Sequence, residues 1–436
     1  MSAGDRSPAL AVMNDGTQHG ARQTMFGFLH LALIAPSTYL VLGLPLVLRQ
    51  HGWSGTEIGL FQLAGLPAVF KFMLAVPVER MRWAAGHYKI WAIGVCLAYA
   101  ALLLTIGQQD LAAGGGRLFL IALGAGLMAT WADIPVNALA IKVLPPSERM
   151  RAGGFRSAAI FLGAIIGGGL MLLVHERWGW QAPFVAMTIP VLIGIGLLVV
   201  FKEPATEPSA ASTQGITGQT ALLAGYFRQP GANAWTLLLL SYFPLVGAAW
   251  IYLKPLLLDH GFAANQVAWV AGVLGSTAGA LASIGAARLI KAIGVAHALA
   301  LFAGLNILAL GGLTLLACIE AGQIAFAAGV MVLACTMGAT SALAFGLMMG
   351  FTRPQYQAAD YGTQASLFTL SRLLMLPLAG VILDRFGYAG MLSSLTLAML
   401  GVFVLAMRQR HRIDRVVRGC QASHANAFAE CKNNGC

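Results

Sequence analysis

The chain has 436 residues, of which 58% are hydrophobic and only 10% are charged, and its mean hydropathy is +0.75. A water-soluble domain averages about 25% charged residues, so this composition excludes an ordinary soluble protein and indicates a chain that lies mostly in a membrane. The net charge of +11 would suggest a nucleic-acid partner in a soluble protein, but the charges here lie mainly outside the apolar runs, and no nucleic-acid partner is expected.

Apolar runs long enough to cross a bilayer recur along the chain. Crossing roughly 30 Å of hydrocarbon takes about 20 helical residues. The sequence therefore predicts an all-α membrane protein with twelve transmembrane helices, at residues 25–48, 57–78, 89–108, 117–144, 157–174, 183–201, 233–256, 266–287, 296–317, 322–350, 361–382 and 391–408. The first run is too long for a signal-peptide core and lacks a small-residue cleavage pattern, so it is retained as a helix.

The chain repeats itself at an offset of about 209 residues. The segment Arg49–Trp53 (RQHGW) ends the first span as Leu258–Phe262 (LDHGF) ends the seventh. Glu176–Trp180 (ERWGW) follows the fifth span as Asp384–Tyr388 (DRFGY) follows the eleventh. Matches in register, in a chain with an even number of spans, predict two pseudo-repeated bundles of six helices each, an arrangement found in one large class of transporters.

The repeat and the composition together predict the domain boundaries. Residues 1–24 form an N-terminal segment, 25–201 the first bundle, 202–232 a polar linker, 233–408 the second bundle, and 409–436 a basic tail expected to be mostly mobile near anionic lipid. Lysine and arginine favour the side that holds the N-terminus by roughly four to one, so both termini are predicted to be cytoplasmic. This count assigns Arg149 and Arg156 to the loop before the fifth span.

Two ionisable residues lie inside spans of the first half. Lys71 is in the second span, where a cation costs about 2.5–3.5 kcal/mol unless it meets a partner or a wet cavity. Asp133 is in the fourth span and shares a helical face with Asn137, four residues on. Lys71 and Asp133 are predicted to pair and to couple transport to protons, with Lys71 and Asn137 also contacting substrate. The alternative is a static pair that only fixes packing.

Further candidate contacts to a substrate lie in both halves. Arg372, in the eleventh span, suits an anionic group, or else it snorkels or pairs with a backbone carbonyl. Trp250 and Lys254, near the end of the seventh span, suit a substrate gate or an aromatic anchor at the membrane interface. Tyr39 in the first span is a further candidate, with a satisfied interior hydroxyl as its alternative.

Loop charges predict a cytoplasmic gate formed by Glu79, Arg80 and Arg82, with Arg288 and Lys291 opposite. No phosphate-binding loop, nucleophile–base pair or zinc spacing is legible, so neither an ATP-driven pump nor an enzyme is expected. No catalytic residue, metal site or cofactor is predicted. The expected partners are a small solute, the lipid bilayer and a proton gradient, and the chain is expected to be a monomer.

Several motifs carry a resemblance to a known family. Gly65-Leu66-Pro67, Phe70-Lys71-Phe72, Ala75-Val76-Pro77 and Glu79-Arg80 resemble the second-helix motif of the AmpG-like branch of the major facilitator superfamily. Asp133-Ile134 with Asn137-Ala138 resembles the fourth-helix motif of that branch, and Leu42–Pro45 and Glu57–Leu60 fit as well. Two positions depart from the pattern: Glu79 replaces an aspartate, and Asn137 replaces a second acid.

The resemblance implies a function. The branch includes muropeptide permeases, acetyl-CoA carriers and RhtX/FptX-like siderophore permeases, and the stretch Pro36–Val78 is most similar to the last group. It implies a proton-coupled importer of a ferric siderophore in the bacterial inner membrane. The alternatives are a muropeptide permease or another AmpG-like carrier, an efflux carrier of the same fold, and a receptor or scaffold that transports nothing.

Overall fold

The computed structural model describes residues 8–53, 61–81, 86–109, 115–204 and 218–433. Its membrane-crossing helices, in chain order, are α1 (Pro8–Thr38, Tyr39–Gly43 and Leu44–Gln50), α2 (Gln62–Phe70 and Lys71–Arg80), α3 (His87–Gly107), α4 (Gly115–Val143), α5 (Arg149–Ile165, Ile166–Leu170 and Met171–Trp178), α6 (Ala182–Val200), α7 (Ala232–Asp259), α8 (Ala264–Val267, Ala268–Gly275 and Ser276–Ile293), α9 (Val295–Cys318), α10 (Gln323–Gly350), α11 (357–386) and α12 (388–433). A short linker helix, Gly218–Phe227, precedes α7.

The predicted all-α fold with twelve spans is confirmed. Within the described residues, ten helical stretches are long and apolar enough to cross a membrane, and the last of them, Gln357–Gly419, contains α11 and most of α12. These two helices are separated at Gly387, which has φ 67° and ψ −175°. The remaining span, α2, is a 3₁₀-helix up to Phe70 and an α-helix from Lys71, because the backbone departs from helical geometry at Phe70 (φ −97°, ψ 20°).

The repeat seen in the sequence recurs in the backbone. Gly52 ends α1 with φ 85° and Gly261 ends α7 with φ 81°. At both ends, the N–H of the residue after the glycine donates a 3.1 Å hydrogen bond to the carbonyl five residues earlier, which is the glycine-dependent helix cap. Gly179 (φ 80°) and Gly387 (φ 67°) likewise turn the chain between the fifth and sixth helices of each half.

The two halves also make similar tertiary contacts at the ends of these helices. In the first half the ring of His51, at the end of α1, lies 6.4 Å from that of His175 near the end of α5. In the second half the ring of His260, at the end of α7, lies 6.5 Å from that of Tyr388 after α11. Each half therefore packs the end of its first helix near the junction between its fifth and sixth helices.

Because successive helices alternate in direction, the start of α1, the linker helix and the end of α12 share one side of the molecule. We call this side the terminal face and the other side the distal face. The two halves meet through α2 against α11 and through α5 against α8 and α10. In α5, a Cβ on Gly153 would lie 2.6 Å from the carbonyl oxygen of Ala342, and one on Gly154 would lie 2.9 Å from that of Ser283. Such close backbone approach needs glycine at both positions.

Farther along α5, the glycines change partner. A Cβ on Gly163 would meet Ile34 at 2.7 Å, and one on Gly168 would meet Leu42 at 3.6 Å, both on α1 of the same half. The close glycine contacts of α5 with the second half therefore lie toward the terminal face. We infer that this conformation is closed at the terminal face, and we call the α5–α8–α10 contact the seam.

Two expectations from the sequence are wrong. Helix α5 begins at Arg149, two turns before the predicted start, so Arg149 and Arg156 lie within a helix and are each only 6% exposed. Residues 409–419 do not form a mobile tail, because they continue α12 with Ile413 and Val417 buried. Apolar residues at this spacing give the basic extension one face that packs on the protein.

Candidate functional site

Helices α1, α2, α4 and α5 bring a set of charged side chains together in the membrane interior. Asp133 is at its centre: Lys71 Nζ lies 2.6 Å from its Oδ2, and Arg156 donates from Nη1 to Oδ1 at 2.6 Å and from Nη2 to Oδ2 at 3.0 Å. At 1.5 Å per residue, these three residues lie roughly 10–15 Å from the terminal-face ends of their helices. The site is therefore near the middle of a 30 Å hydrocarbon layer.

Two neutral side chains complete the set, which we call the ion cluster: His30, Lys71, Asp133, Asn137 and Arg156. Asn137 donates to Asp133 Oδ1 at 2.9 Å and accepts from Arg156 Nη1 at 3.0 Å. His30 Nδ1 accepts from Arg156 Nη1 at 3.2 Å, which fits a neutral imidazole with its proton on Nε2. The sequence predicts that Lys71 and Asp133 pair, and in the structure they are in contact.

The ion cluster holds more positive than negative charge. With His30 neutral, Lys71 and Arg156 oppose a single carboxylate, so one positive charge is in excess. The side chain of Arg156 is 7% exposed and makes the two-pronged contact, whereas that of Lys71 is 12% exposed and makes one bond. A planar guanidinium matches a carboxylate in this way better than an ammonium does. Lys71 is thus the cation that an incoming ligand reaches at the lower cost.

Arg156 links the ion cluster to the second half. Its guanidinium lies 4.8 Å from the ring centre of Phe345 on α10 and 5.5 Å from that of Tyr361 on α11, within the range of cation–π attraction. The ring of Phe345 lies 5.6 Å from that of Phe368. These buried rings extend from Arg156 towards Arg372 across the boundary between the halves.

Arg372 lies at the other end of these rings. Its guanidinium is 5.6 Å from the ring centre of Phe243 and 5.8 Å from that of Phe368. It makes no hydrogen bond or ion pair with any residue that the structure describes, and its residue is exposed. The alternative of a backbone-carbonyl partner is therefore not observed among the described residues, and the charge is available to an anionic group.

The two residues predicted to form a gate at the distal end of α7, Trp250 and Lys254, lie in different surroundings. Trp250 lies between the halves, with its ring 6.4 Å from that of Phe161 on α5 and its edge against Gly275 of α8. Lys254, one turn farther on, is exposed and makes no ion pair within the described part of the chain.

Two predicted substrate contacts lie inside the protein. Tyr39 is fully buried in the first half, with its ring 5.5 Å from that of Phe184 on α6. Asn137 is also fully buried and bonds only within the ion cluster. In this conformation neither side chain reaches an open surface.

Glu79, predicted as a gate residue, joins the two halves. It lies at the end of α2 and is only 5% exposed. Its Oε1 accepts from the backbone N–H of Ala358 at 2.6 Å and of Ala359 at 3.3 Å, at the start of α11, while Tyr88 donates to it from α3 at 3.2 Å. A carboxylate at a helix N-terminus satisfies free N–H groups and interacts favourably with the helix dipole.

The other predicted gate residues are distributed differently. Arg80 is exposed at the end of α2, and Arg82 lies outside the described residues. Lys291, at the end of α8, reaches across the terminal face to within 3.5 Å of Glu148 Oε1. Arg288 lies on the same end of α8, next to this contact.

Sequence reasoning missed the roles of Arg156 and His30. The region before Ser157 contains Arg149, Arg151 and two glycines, and it resembles a loop in a hydropathy profile. The available signal was spacing, because Arg149 and Arg156 are seven residues apart and so share a helical face. His30 carried no comparable signal.

Comparison with known proteins identifies the family and the fold. The family model described as Major Facilitator Superfamily matches residues 26–370. The anhydromuropeptide permease of Escherichia coli K12 is 26% identical over 401 residues, which covers 86% of this chain and 79% of the permease. Among solved structures, FucP, the fucose:proton symporter of E. coli, in its outward conformation gives a TM-score of 0.67 at 17% identity, over 88% of this chain and 97% of that one. The human organic anion transporter MFSD10 gives 0.70 at 15% identity, over 89% and 99%.

Proposed function

The chain belongs to the Major Facilitator Superfamily and is a multi-pass secondary transporter, not an enzyme, and we propose that it imports an anionic small solute across the bacterial inner membrane together with protons. The observation that carries this proposal is the excess cation of the ion cluster. Lys71 is the more exposed of two cations that share Asp133 near the middle of the membrane. An unbalanced charge at that depth is costly, and an anionic group on the solute removes the imbalance.

A second and a third cation mark a path from the distal face. Arg372 lies about 22 Å along α11 from its terminal-face end, and Lys254 about 33 Å along α7. Neither has a carboxylate partner among the described residues. Positive groups along a low-dielectric path raise the local concentration of an anion. The proposed route therefore leads past Lys254 and Arg372 to Lys71.

Proton coupling follows from the shared carboxylate. While Asp133 is charged, it holds both Lys71 and Arg156. A proton on Asp133 cancels its charge and leaves both cations available to the solute. Proton and anion then bind better together than either does alone, which is a positive coupling free energy between the two sites and the requirement for symport.

Movement between the halves supplies the transport step. The seam and the Glu79 cap close the terminal face in this structure, and rocking of the two bundles about a midplane site would open it. If the termini are cytoplasmic, as the distribution of lysine and arginine predicts, this conformation faces outward. Release to the cytoplasm then requires the seam to separate and the α11 N-terminus to lose its cap.

Two solutes are candidates for the anion. The resemblance of Pro36–Val78 to siderophore permeases favours a ferric siderophore, whereas similarity to the E. coli permease favours an anhydromuropeptide. Both kinds of solute can present carboxylates, and the ion cluster is compatible with either. We propose the siderophore first and the muropeptide second, and both belong in the same assay.

The test is uptake into proteoliposomes of labelled ferric siderophores and anhydromuropeptides, with and without an inward proton gradient. Lys71→Met removes the excess charge and leaves Asp133 paired with Arg156, so the protein should fold while affinity for the anionic solute falls by about tenfold or more. Lys202→Met, at an exposed lysine after α6, is the control. If Lys71→Met transports as the control does, Lys71 and Asp133 form a static pair. If neither solute crosses with wild-type protein, both assignments fail.

A further inference from the structure

A second charged site lies on the terminal face, away from the ion cluster. It is a cavity of about 260 Å³ where the start of α5, in the first half, meets the end of α8, in the second. Its charged lining residues are Glu148, Arg151, Arg288 and Lys291. Arg151 and Lys291 lie within about one turn of the ends of their helices, so the cavity is at the depth of lipid headgroups.

The charges in this cavity are not balanced. Glu148 Oε2 is 3.6 Å from Arg151 Nη1, and Glu148 Oε1 is 3.5 Å from Lys291 Nζ. Both distances exceed the 2.7–2.9 Å of a strong charge-assisted hydrogen bond. Arg288 makes no hydrogen bond or ion pair with any described residue. One loosely held carboxylate therefore faces three cations.

The excess of positive charge in this cavity affects the stability of the closed terminal face. Glu148 and Arg151 belong to the first half, whereas Arg288 and Lys291 belong to the second, so closing the terminal face places three cations and one carboxylate around one space. The single carboxylate offsets only part of the repulsion among the cations, and a further anion between them would offset the rest. Separation of the halves would relieve the repulsion and disassemble the cavity.

We propose that this cavity binds a phosphate group and that the bound phosphate stabilises the closed terminal face. Arginine is suited to phosphate because its planar fork donates two parallel hydrogen bonds. Basic pockets between transmembrane helices at the membrane surface bind anionic lipid headgroups. The phosphate comes either from a phospholipid headgroup or from free phosphate.

The experiment uses the full chain in nanodiscs of phosphatidylethanolamine, with or without phosphatidylglycerol, and in detergent with added inorganic phosphate. Closure of the terminal face is read as the distance between spin labels at Val200 and His297, which are exposed at the terminal-face ends of α6 and α9. Retained lipid is read by native mass spectrometry. Phosphatidylglycerol or phosphate should increase the closed population. An effect of the lipid alone identifies the headgroup as the source, and an effect of phosphate in detergent identifies the free ion.

Two variants separate a phosphate site from a simple ion-pair latch. Arg288→Gln should weaken phosphate or lipid binding by about tenfold, as expected for the loss of one charge-assisted contact. Glu148→Gln removes the competing carboxylate, so it should strengthen binding and increase closure when the anion is present. A latch between Glu148 and Lys291 predicts the opposite, because Glu148→Gln would then loosen closure in every lipid. Arg177→Gln on the distal face is the charge-matched control.

The proposal is overturned if Arg288→Gln and Glu148→Gln bind phosphatidylglycerol and phosphate as the wild type does. It is also overturned if neither anion alters the label distance in the wild type. Transport of any particular solute does not enter these measurements, so a failure here leaves the proposed function untouched.

Discussion

Substitution of Gly153 by alanine gives a direct test of the seam as the surface that separates during transport. A Cβ at this position would lie 2.6 Å from Ala342 O and 2.7 Å from Gly346 Cα, and closer still to Gly346 N. All three are backbone atoms of α10 in the opposite half, and they cannot rotate away as a flexible side chain could. Ordinary contact for a Cβ is 3.4–4 Å, so α5 and α10 must move apart by about 1 Å.

The cost of that movement sets the size of the effect. Overpacking a well-packed contact costs about 1–3 kcal/mol, and this cost falls on the closed state because the contact exists only while the halves are together. A bias of that size shifts the ratio of closed to open terminal face by about 5- to 150-fold. The shift should also reduce binding of solute offered from the distal side.

The assay is the label distance between Val200 and His297 in a background without native cysteines. Gly153→Ala should move the distribution towards longer distances, whereas Gly285→Ala on α8, where a Cβ would meet nothing within 4 Å, should leave it unchanged. If the two variants give the same distribution as wild type, α5 and α10 do not separate during transport and the alternating-access scheme for this seam is wrong.

Three further variants test individual residues. Glu79→Gln should weaken the cap on α11 by about 0.3–1 kcal/mol and so speed amide hydrogen exchange over residues 358–366. The control, Asp259→Asn on the distal face, should leave that exchange rate unchanged. An unchanged rate in Glu79→Gln would remove Glu79 from the gate. Arg372→Met should lower solute affinity about tenfold without altering the pH dependence of uptake. The control, Arg385→Gln, should leave affinity unchanged. An unchanged affinity in Arg372→Met would exclude Arg372 as a contact to the anion. Asp133→Asn leaves two cations without a counterion, so the free energy of unfolding, measured by thermal unfolding, should fall by about 3–5 kcal/mol. Uptake should also lose its dependence on the proton gradient. Full retention of that dependence would exclude Asp133 from proton coupling.

Much of the architecture is legible in the sequence because it depends on local properties. The length of each apolar run measures a membrane crossing without reference to any other helix. The glycines of the repeated segments, Gly52 with Gly261 and Gly179 with Gly387, report left-handed backbone at the same place in each half. Ionisable residues inside predicted spans are rare, so the cation Lys71 and the carboxylate Asp133 are each the natural partner of the other.

The site itself required tertiary structure. Hydropathy does not separate Arg156 from a loop arginine, because the first two turns of α5 are rich in small and charged residues. Its burial depends on contacts with Asp133 on α4 and Phe345 on α10. Tyr39 lies in an apolar run, where the sequence does not distinguish a buried tyrosine from one that lines a cavity. Its contact with Phe184 depends on how α1 packs on α6.

The sequence by itself determined that this chain crosses a membrane twelve times in two related halves and carries ions in its interior. Tertiary structure alone decided that Arg156 shares Asp133 with Lys71, that Glu79 caps a helix of the other half, and that the terminal face is closed. The physical reason is the range of the interactions. Hydropathy and backbone conformation are set by neighbours along the chain, whereas ion pairs and helix caps form between residues up to about 280 positions apart. Their partners are fixed by which helix faces meet in the folded protein.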